Sequence, residues 1–471
     1  MTDAAPDPPA RNPAPVPGAR RRVSLTVVAL TLGTALNPLN SSMIAVALLS
    51  LQREFAIDLA TVTWVITVFY IASIVGQPLM GRLVDALGAR RVFAAGMLVV
   101  LAGSALAPLG GSFALVCVAR VLMATGTSVA FPAAMAMVAP LSARSGIPTP
   151  RLLARIQVTN TAGAALGPVL GGALVTLAGW QAVFWVNVPL ALAALAGVVV
   201  LAPRDARRHT VGARALLISL DPAGVVAFGV GMATVVVFAL DTRGGAQWWL
   251  LAVGVAALAA FAWWELRART PFIDLRMLAG NRGLRTVYLG FTVFTALFYL
   301  AFFGLPQFLE ERGGYSAALA GVLLLPLAAS TVVLAPLTAR AIERRGLRPV
   351  LVCGAVLLVP AAATLGIGVL TTAPAWMLVV AAAMGIPYGM VSLAATQAVQ
   401  RSAPAGSVGL ASGLLQSTRY VGAIAATVVL GQVLGEGITA QGWGAVAVAA
   451  SAIAAAHLAI VLVGVRRRPA R

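Results

Sequence analysis

The chain has 471 residues, of which 60% are hydrophobic and only 10% are charged, and its mean hydropathy is +0.95. A soluble globular chain carries about a quarter charged residues, so this composition excludes a single water-soluble core and indicates lipid as the solvent. The net charge of +19 does not indicate a nucleic-acid partner, because the basic residues are all arginines scattered between apolar runs rather than gathered on one soluble face.

The first 22 residues are rich in proline and alanine and end in three consecutive arginines, Arg20 to Arg22. This composition predicts a disordered cytoplasmic tail. The apolar run that begins at Val23 is too long for the core of a signal peptide and lacks a clear cleavage site, so we expect it to be retained as the first membrane span.

Fourteen apolar runs are long enough to cross a bilayer, which takes roughly twenty residues each. They are predicted at 23–50, 61–80, 90–109, 112–140, 151–178, 180–202, 219–241, 246–266, 284–309, 315–339, 349–370, 373–398, 407–434 and 439–465.

The arginines test this count of spans. If both termini face the cytoplasm, 28 of the 33 arginines fall in cytoplasmic segments and only Arg53, Arg243 and Arg312 fall outside, while Arg120 and Arg419 lie within spans. Positive residues favour the cytoplasmic side of membrane proteins, so this bias predicts the topology and both termini in the cytoplasm.

The chain also repeats itself. The segment 81–90 after the second span matches the segment 339–348 after the tenth at a constant offset of 258, so that Arg82 pairs with Arg340, Asp85 with Glu343 and Gly88 with Gly346. Two repeated halves with a site between them are typical of alternating-access transporters. We therefore predict an all-α membrane protein in a 6+2+6 arrangement: a tail at 1–22, six-helix halves at 23–202 and 284–465, an inserted helix pair within 203–283, and a tail at 466–471.

Two motifs carry specific spacing. In the short connection after span two, the glycines allow a tight reversal, Asp85 can meet a helix N-terminus or nearby arginines, and the basic residues face the anionic leaflet; the alternative is an ordinary positively charged loop. Its residues are Gly81, Arg82, Asp85, Gly88, Arg90 and Arg91.

In span five, small residues every four positions allow close helix packing and a proline favours a kink; the alternative is packing alone. Its residues are Gly163, Gly167, Pro168, Gly171 and Gly172.

Together with the runs Gly179–Pro189 and Gly409–Gly413, these motifs resemble the fourteen-spanning drug:proton antiporters of the major facilitator superfamily. The resemblance implies the major facilitator fold, a latch at the connection after span two with Arg340 and Glu343 as the repeated counterpart, and export, with which the span-five motif is associated. It also implies a small-molecule substrate, protons as coupling partner and a monomer in the lipid bilayer.

Two further positions bear on coupling. Arg120 in span four matches an arginine that the family uses in proton or substrate coupling, although Met123 and Ala124 replace its usual Gln-Gly pair. Asn40 stands where the family has the aspartate expected to carry the proton, and an asparagine cannot titrate.

The acidic residues fall at the ends of the spans or outside them, whereas Arg120 and Arg419 fall at hydrocarbon depth. We therefore expect a positive central cavity and an anionic, zwitterionic or neutral substrate, since buried arginines repel cations. If protons drive transport, a carboxylate at the rim, such as Glu310 or Glu311, must titrate.

Other buried polar and aromatic residues are candidates for lining the cavity, although each could instead bond a neighbouring helix. They are Asn37, Gln157, Asn160, Phe298, Tyr299, Gln307, Tyr388, Gln397 and Gln416. His457 is expected to be a packed neutral histidine, and Cys117 and Cys353 to be small apolar fillers.

Three readings remain open: export of small amphipathic molecules by alternating access, a dedicated exporter of an anionic, zwitterionic or lipid-like metabolite without the usual proton coupling, and a non-transporting receptor or scaffold. We expect no enzyme, cofactor or metal, because the sequence has no nucleophile–base constellation, metal cluster or phosphate loop.

Overall fold

The computed structural model describes residues 19–205, 212–240, 247–404, 406–434 and 438–466. The regular structure of these residues is helical, and fourteen of the helices are long and apolar enough to cross a membrane. The predicted all-α fold and the predicted number of spans are therefore confirmed. Of the two predicted tails, residues 19–22 and Arg466 are helical, and the remaining tail residues lie outside the described part of the chain.

We number the membrane helices α1 to α14. They are Ala19–Phe55, Trp64–Leu87, Ala89–Leu109, Phe113–Ser145, Thr149–Ala178, Ala182–Leu201, Pro222–Leu240, Trp248–Glu265, Arg282–Glu311, Leu319–Arg345, Leu347–Leu370, Pro374–Ser402, Val408–Leu434 and Ala440–Arg466.

The connection after α2 is tighter than the sequence suggests. Helix α2 continues to Leu87, so that Arg82 and Asp85 lie on its last two turns, and the reversal into α3 occurs at Gly88 alone, with φ +100°. The repeated position Gly346 makes the same reversal between α10 and α11 with φ +84°. A positive φ suits glycine because it lacks a Cβ, so the two matching segments also share a local structure.

The buried apolar residues form several cores, which draw on different helices. One core draws its buried residues from α9 to α14, whereas two others draw mainly on α1 to α6. The inserted helices α7 and α8 pack on each other, and α7 also packs beside α2 and α13, where Val236 joins Ile74 and Tyr420 in a small cluster. The inserted pair thus lies along the seam between the six-helix groups.

Glycines allow the two groups to meet closely at α2 and α13. A Cβ on Gly81 would stand 2.3 Å from the carbonyl oxygen of Gly409, and one on Gly413 would stand 2.2 Å from that of Gln77. Any side chain there would push the backbones apart. This contact gives the run Gly409–Gly413 a packing role that its sequence alone does not reveal.

Candidate functional site

A small cavity of about 60 Å³ lies between the two six-helix groups, with walls from α1, α2, α4, α5, α9 and α13. Five of the residues predicted to lie in it line its wall: Asn37, Asn160, Tyr299, Gln416 and Arg419. The remaining wall residues were not predicted and are Thr34, Pro38, Ser41, Ser42, Tyr70, Gln77, Thr127, Phe131, Ala164, Phe302, Phe303 and Tyr420.

Hydrogen bonds tie the two groups together across this cavity. The hydroxyl of Tyr420 on α13 donates to Asn37 Oδ1 on α1, and Asn37 Nδ2 donates to Thr127 Oγ1 at 3.0 Å. Just beside them, Ser417 Oγ donates to the carbonyl oxygen of Ile74 at 2.7 Å. The cavity is therefore narrow because polar side chains from both groups bridge it.

Arg419 gives the cavity its charge. It is the one charged residue among the described residues of the wall, and its buried Nε has no hydrogen-bond partner. Aromatic rings stand beside it, with the centroids of Tyr299 and Phe303 5.2 Å apart. A cationic group among aromatic and amide side chains suits an amphipathic ligand with an anionic or neutral polar group.

Arg120 does not share this cavity, contrary to the expectation that both arginines charge it. It is 1% exposed within the first six helices, where Nε donates to Val65 O at 3.1 Å and Nη1 to Asn40 O at 3.4 Å. Its guanidinium also lies 4.1 Å from the centroid of the Phe69 ring, a cation–π contact. Carbonyl oxygens and an aromatic face therefore surround its charge, while its buried Nη2 has no hydrogen-bond partner among the described residues.

Asn40, the residue at the position of the expected aspartate, also faces away from the cavity wall. Its Nδ2 donates to Asn187 Oδ1 at 2.6 Å and to Leu36 O at 2.8 Å. Asn187 belongs to the run Gly179–Pro189, which the sequence did not connect with Asn40. Two neutral amides pair here, and neither can carry a proton in the physiological range.

The other predicted lining residues lie elsewhere. Phe298 and Tyr388 stack with ring centroids 3.9 Å apart inside the core of α9 to α14, Gln157 and Gln397 are buried away from the cavity, and Gln307 is exposed. Their depth in the spans was predicted, but the direction in which each helix turns them was not. His457 is packed as expected, its Nδ1–H donating to Gly290 O at 2.9 Å.

The predicted latch joins the two groups at the face where α1 begins and α14 ends, which we call the terminal face. Asp85 accepts hydrogen bonds from the backbone amides of Gly409 and Leu410, both at 2.8 Å, in the first turn of α13. A carboxylate is favourable there because the free amides and the helix dipole are positive. Asp85 thus meets the helix terminus, one of the two partners that the sequence left open, and it also interacts electrostatically with Arg82.

The repeated counterpart Glu343 also crosses the seam, but with a different partner. Its carboxylate forms an ion pair with Arg151 in the first turn of α5, with Nη2 and Oε2 2.9 Å apart. Nearby, Gln400 Nε2 donates to Met135 O at 3.0 Å. Together with Asp85 these contacts close the cavity toward the terminal face.

The basic residues of the motif have other partners. Arg82 donates to the carbonyl oxygens of Ser219 at 2.6 Å, Phe272 at 3.0 Å and Pro271, all in segments that flank the inserted pair. The backbone amides of Arg90 and Arg91 both donate to the carboxylate of Asp205 at 3.0 Å.

The side chain of Arg340 is exposed and makes no hydrogen bond to the described residues. Of the predicted basic latch residues, therefore, neither Arg82 nor Arg340 binds the opposite six-helix group.

The glycine run of α5 packs against α1. Cβ atoms added at Gly163, Gly167 and Gly171 would stand 3.3 Å from Ala35 O, 1.8 Å from Ser42 Oγ and 2.9 Å from Met43 O. Gly172 has more room, 3.8 Å from Val46, and Pro168 lies inside the continuous helix. The run therefore sets the distance between two helices that both contribute to the cavity wall.

Glu310 and Glu311 lie at the end of α9 on the face opposite the terminal face, and both are exposed. Glu311 Oε2 accepts a hydrogen bond from the Ile438 amide at 3.1 Å. Neither carboxylate reaches the central cavity.

Two groups of six membrane helices with a polar cavity between them are typical of polytopic membrane transporters. The chain belongs to the Major Facilitator Superfamily, whose family model matches residues 30–427. The chain is similar to the uncharacterized MFS-type transporter YwoD of Bacillus subtilis, at 34% identity over 89% of this chain and 92% of the relative.

Two other similarities are informative. The tetracenomycin C resistance and export protein of Streptomyces glaucescens is 31% identical over 88% of this chain and 77% of its own length. In fold, the chain matches the crystal structure of the human organic anion transporter MFSD10 (TETRAN) with a TM-score of 0.67 and 18% identity, covering 97% of this chain and all of that one.

Proposed function

We propose that this transporter exports a small amphipathic molecule from the cytoplasm by alternating access. The observation that carries the proposal is the cavity that contains Arg419 between the two six-helix groups. At the terminal face, contacts of side chains and of a helix end hold these groups together. The arginine bias supports a cytoplasmic terminal face, so the conformation described above is the one closed to the cytoplasm. The similarity to a resistance and export protein supports the outward direction.

The proposed substrate is anionic, zwitterionic or neutral. Arg419 supplies a positive charge, and the described residues of the cavity wall include no carboxylate to attract a cation. An anionic group on Arg419 would gain a charge-assisted hydrogen bond in a site of low dielectric constant, whereas a cation would be repelled.

We propose that the proton gradient drives this export by antiport. A second candidate, a dedicated exporter without this coupling, is favoured by the pair Asn40–Asn187, which removes the carboxylate expected in span one. A static receptor or scaffold would have no need of the Asp85 contact, which holds the two groups by two hydrogen bonds to a helix end. One chain supplies the whole cavity, which supports a monomer as the transporting unit.

A transport assay with purified protein in liposomes tests the proposal. The panel should hold matched anionic, zwitterionic, neutral and cationic amphiphiles, each with and without an imposed pH gradient. We expect the pH gradient to drive uptake of at least one non-cationic compound into liposomes that hold the transporter with its cytoplasmic face outward. Transport restricted to cations, and unchanged in Arg419→Gln, would contradict the proposed substrate class, whereas equal rates without a gradient would favour the uncoupled exporter.

A further inference from the structure

Two carboxylates meet at the terminal-face end of the inserted pair. Asp221 directly precedes α7 and Glu265 ends α8, and they are 7% and 1% exposed. Asp221 Oδ2 and Glu265 Oε1 lie 2.7 and 2.5 Å from the point where a Cβ on Gly224 would stand, so no more than 5.2 Å separates the two oxygens. Glycine at this position leaves the space between them free.

The two carboxylates have unequal surroundings. Asp221 accepts hydrogen bonds from Trp264 Nε1 at 2.9 Å and from the amides of Gly224 and Phe272 at 3.2 and 3.3 Å. Glu265 Oε2 accepts one from the Ile273 amide at 3.2 Å, and its buried Oε1 has no partner among the described residues. Three donors thus reach Asp221 and one reaches Glu265, so that Oε1 of Glu265 is the carboxylate oxygen with room for a proton among the described residues.

The two carboxylates of Asp221 and Glu265 share one neighbouring arginine, Arg82. Arg82 on α2 interacts electrostatically with Glu265 and Asp221, but also with Asp85 and Asp274. Its guanidinium donates to backbone carbonyls, and no ion pair with either member of the carboxylate pair is found among the described residues.

The other charged groups of these segments are directed elsewhere. Asp274 accepts from the Met277 amide at 2.8 Å, Arg276 donates to Leu266 O, and Arg267 lies over the Trp263 ring at 4.3 Å. Two buried carboxylates this close, with one shared arginine, are more stable with one proton between them than with two negative charges.

We propose that Asp221 and Glu265 bind one exchangeable proton in the conformation closed at the terminal face, and that the pair releases it to that face on opening. This rests on the proposed function, for which it names a proton-binding site. Phe272 links the pair to the latch: its amide donates to Asp221 and its carbonyl oxygen accepts from Arg82, one turn before Asp85 on α2. Movement of α2 during opening therefore pulls on the segment that shields the pair.

The direction of the pH effect follows from this. In the closed form Glu265 is buried and protonated, whereas in the open form it is hydrated and ionised. A high pH at the terminal face therefore favours opening, and a low pH favours the closed form. Release of one proton limits the change in the open-to-closed ratio to about tenfold per pH unit.

The test is a distance measurement on the full chain in lipid nanodiscs. Spin labels replace the exposed Arg144 and Arg401, which end α4 and α12 on opposite sides of the seam, in a background of Cys117→Ser and Cys353→Ser. We expect the open fraction to rise with pH in this protein and to be low and independent of pH in Glu265→Gln, because glutamine keeps the acceptor but cannot titrate. The variant Glu54→Gln, at an exposed acid near the end of α1 on the face opposite the terminal face, is the matched control and should retain the original profile.

Asp221→Asn provides a second variant, which should shift the profile to lower pH by about one unit or more, because it removes the negative charge that favours the proton on Glu265. Folding of Glu265→Gln is checked by gel filtration and thermal melting. If the open fraction of this folded variant depends on pH as in the original protein, the proposal is overturned. The proposal is also overturned if Na⁺ changes the open fraction and pH does not. These results do not depend on transport, so a failure of proton-driven transport in liposomes remains distinguishable from a failure of this site.

Discussion

The two intramembrane arginines differ in whether they line the central cavity. Arg120 lies outside the cavity, where the carbonyl oxygens of Val65 and Asn40 and the ring of Phe69 surround it, and its buried Nη2 has no hydrogen-bond partner among the described residues. Arg419 has aromatic and amide neighbours in the cavity and an unpartnered Nε. A substrate in the cavity is therefore expected to contact the guanidinium of Arg419 directly.

Replacing Arg419 tests this at the level of one side chain. In Arg419→Gln we expect transport of anionic compounds to fall by about 10- to 100-fold, because a hydrogen bond to a charged group contributes about 1.5–3 kcal/mol. Neutral compounds should change far less. Initial rates in liposomes measure both, and Arg340→Gln, at an exposed arginine, should transport like the original protein. Full anion transport by Arg419→Gln would contradict the role.

Arg120 is expected to matter for stability instead. Arg120→Gln leaves carbonyl oxygens without their donor and opens space beside Phe69, so the melting temperature should fall, while the selectivity between anions and neutral compounds should stay unchanged. A loss of about 1–3 kcal/mol is the usual effect of an unsatisfied buried group. Thermal unfolding in detergent, compared with Arg419→Gln, measures the difference. A change of selectivity without a change of stability would contradict this assignment.

The sequence predicts the depth of polar residues well because depth follows from counting along a span, as it does for Asn37, Tyr299 and Arg419. It does not predict which way a helix turns them. Phe298 and Tyr388 were expected in the cavity but stack inside one group, while Tyr70 and Tyr420 face the cavity and were not predicted. Helix rotation depends on the packing of many helices at once, which a single sequence does not display.

At the scale of helices, the glycine run on α5 fixes how closely this helix approaches α1. The positions differ in what they tolerate. A Cβ added at Gly171 would stand 2.9 Å from Met43 O, whereas one added at Gly172 would come no closer than 3.8 Å, to Val46. The spacing of the run predicts close packing, and the structure supplies its partner. The association of the run with the direction of export stays a prediction.

These two neighbouring glycines form a matched pair for mutation. Gly171→Ala should lower stability by about 1–3 kcal/mol, because the added methyl group meets backbone that cannot rotate away. Gly172→Ala should be neutral or slightly stabilising, since alanine favours a helix by up to about 1 kcal/mol. Melting temperatures and transport rates check both. Equal effects of the two substitutions would rule out backbone contact as the role of the run.

At the scale of the whole molecule, the repeat produces two latches that are not equivalent. Asp85 and Glu343 occupy matching positions, and both cross the seam at the terminal face. Asp85 binds two backbone amides at the start of α13, whereas Glu343 binds Arg151, whose side chain is 52% exposed. The offset of 258 predicts the equivalence of the positions, but the partners depend on the three-dimensional arrangement of the other half.

The latches should therefore differ in strength. Asp85→Asn removes the charge at a helix N-terminus and one acceptor, so we expect a clear shift toward the conformation open at the terminal face. Glu343→Gln should have a smaller effect, of about 1 kcal/mol or less, because exposed ion pairs contribute little. The labels at Arg144 and Arg401 measure both shifts. A larger effect of Glu343→Gln would contradict this order.

The three carbonyl oxygens that surround Arg82 have a consequence for protein engineering. Ser219, Pro271 and Phe272 flank the inserted pair. Deleting residues 203–283 to produce a twelve-helix transporter would therefore leave the guanidinium of Arg82 on α2 without these hydrogen-bond acceptors. Such a minimal chain is expected to express poorly unless residue 82 is changed at the same time, for example to leucine. The inserted helices are thus not an interchangeable module, and grafting them onto a twelve-helix relative would require transferring the arginine with them.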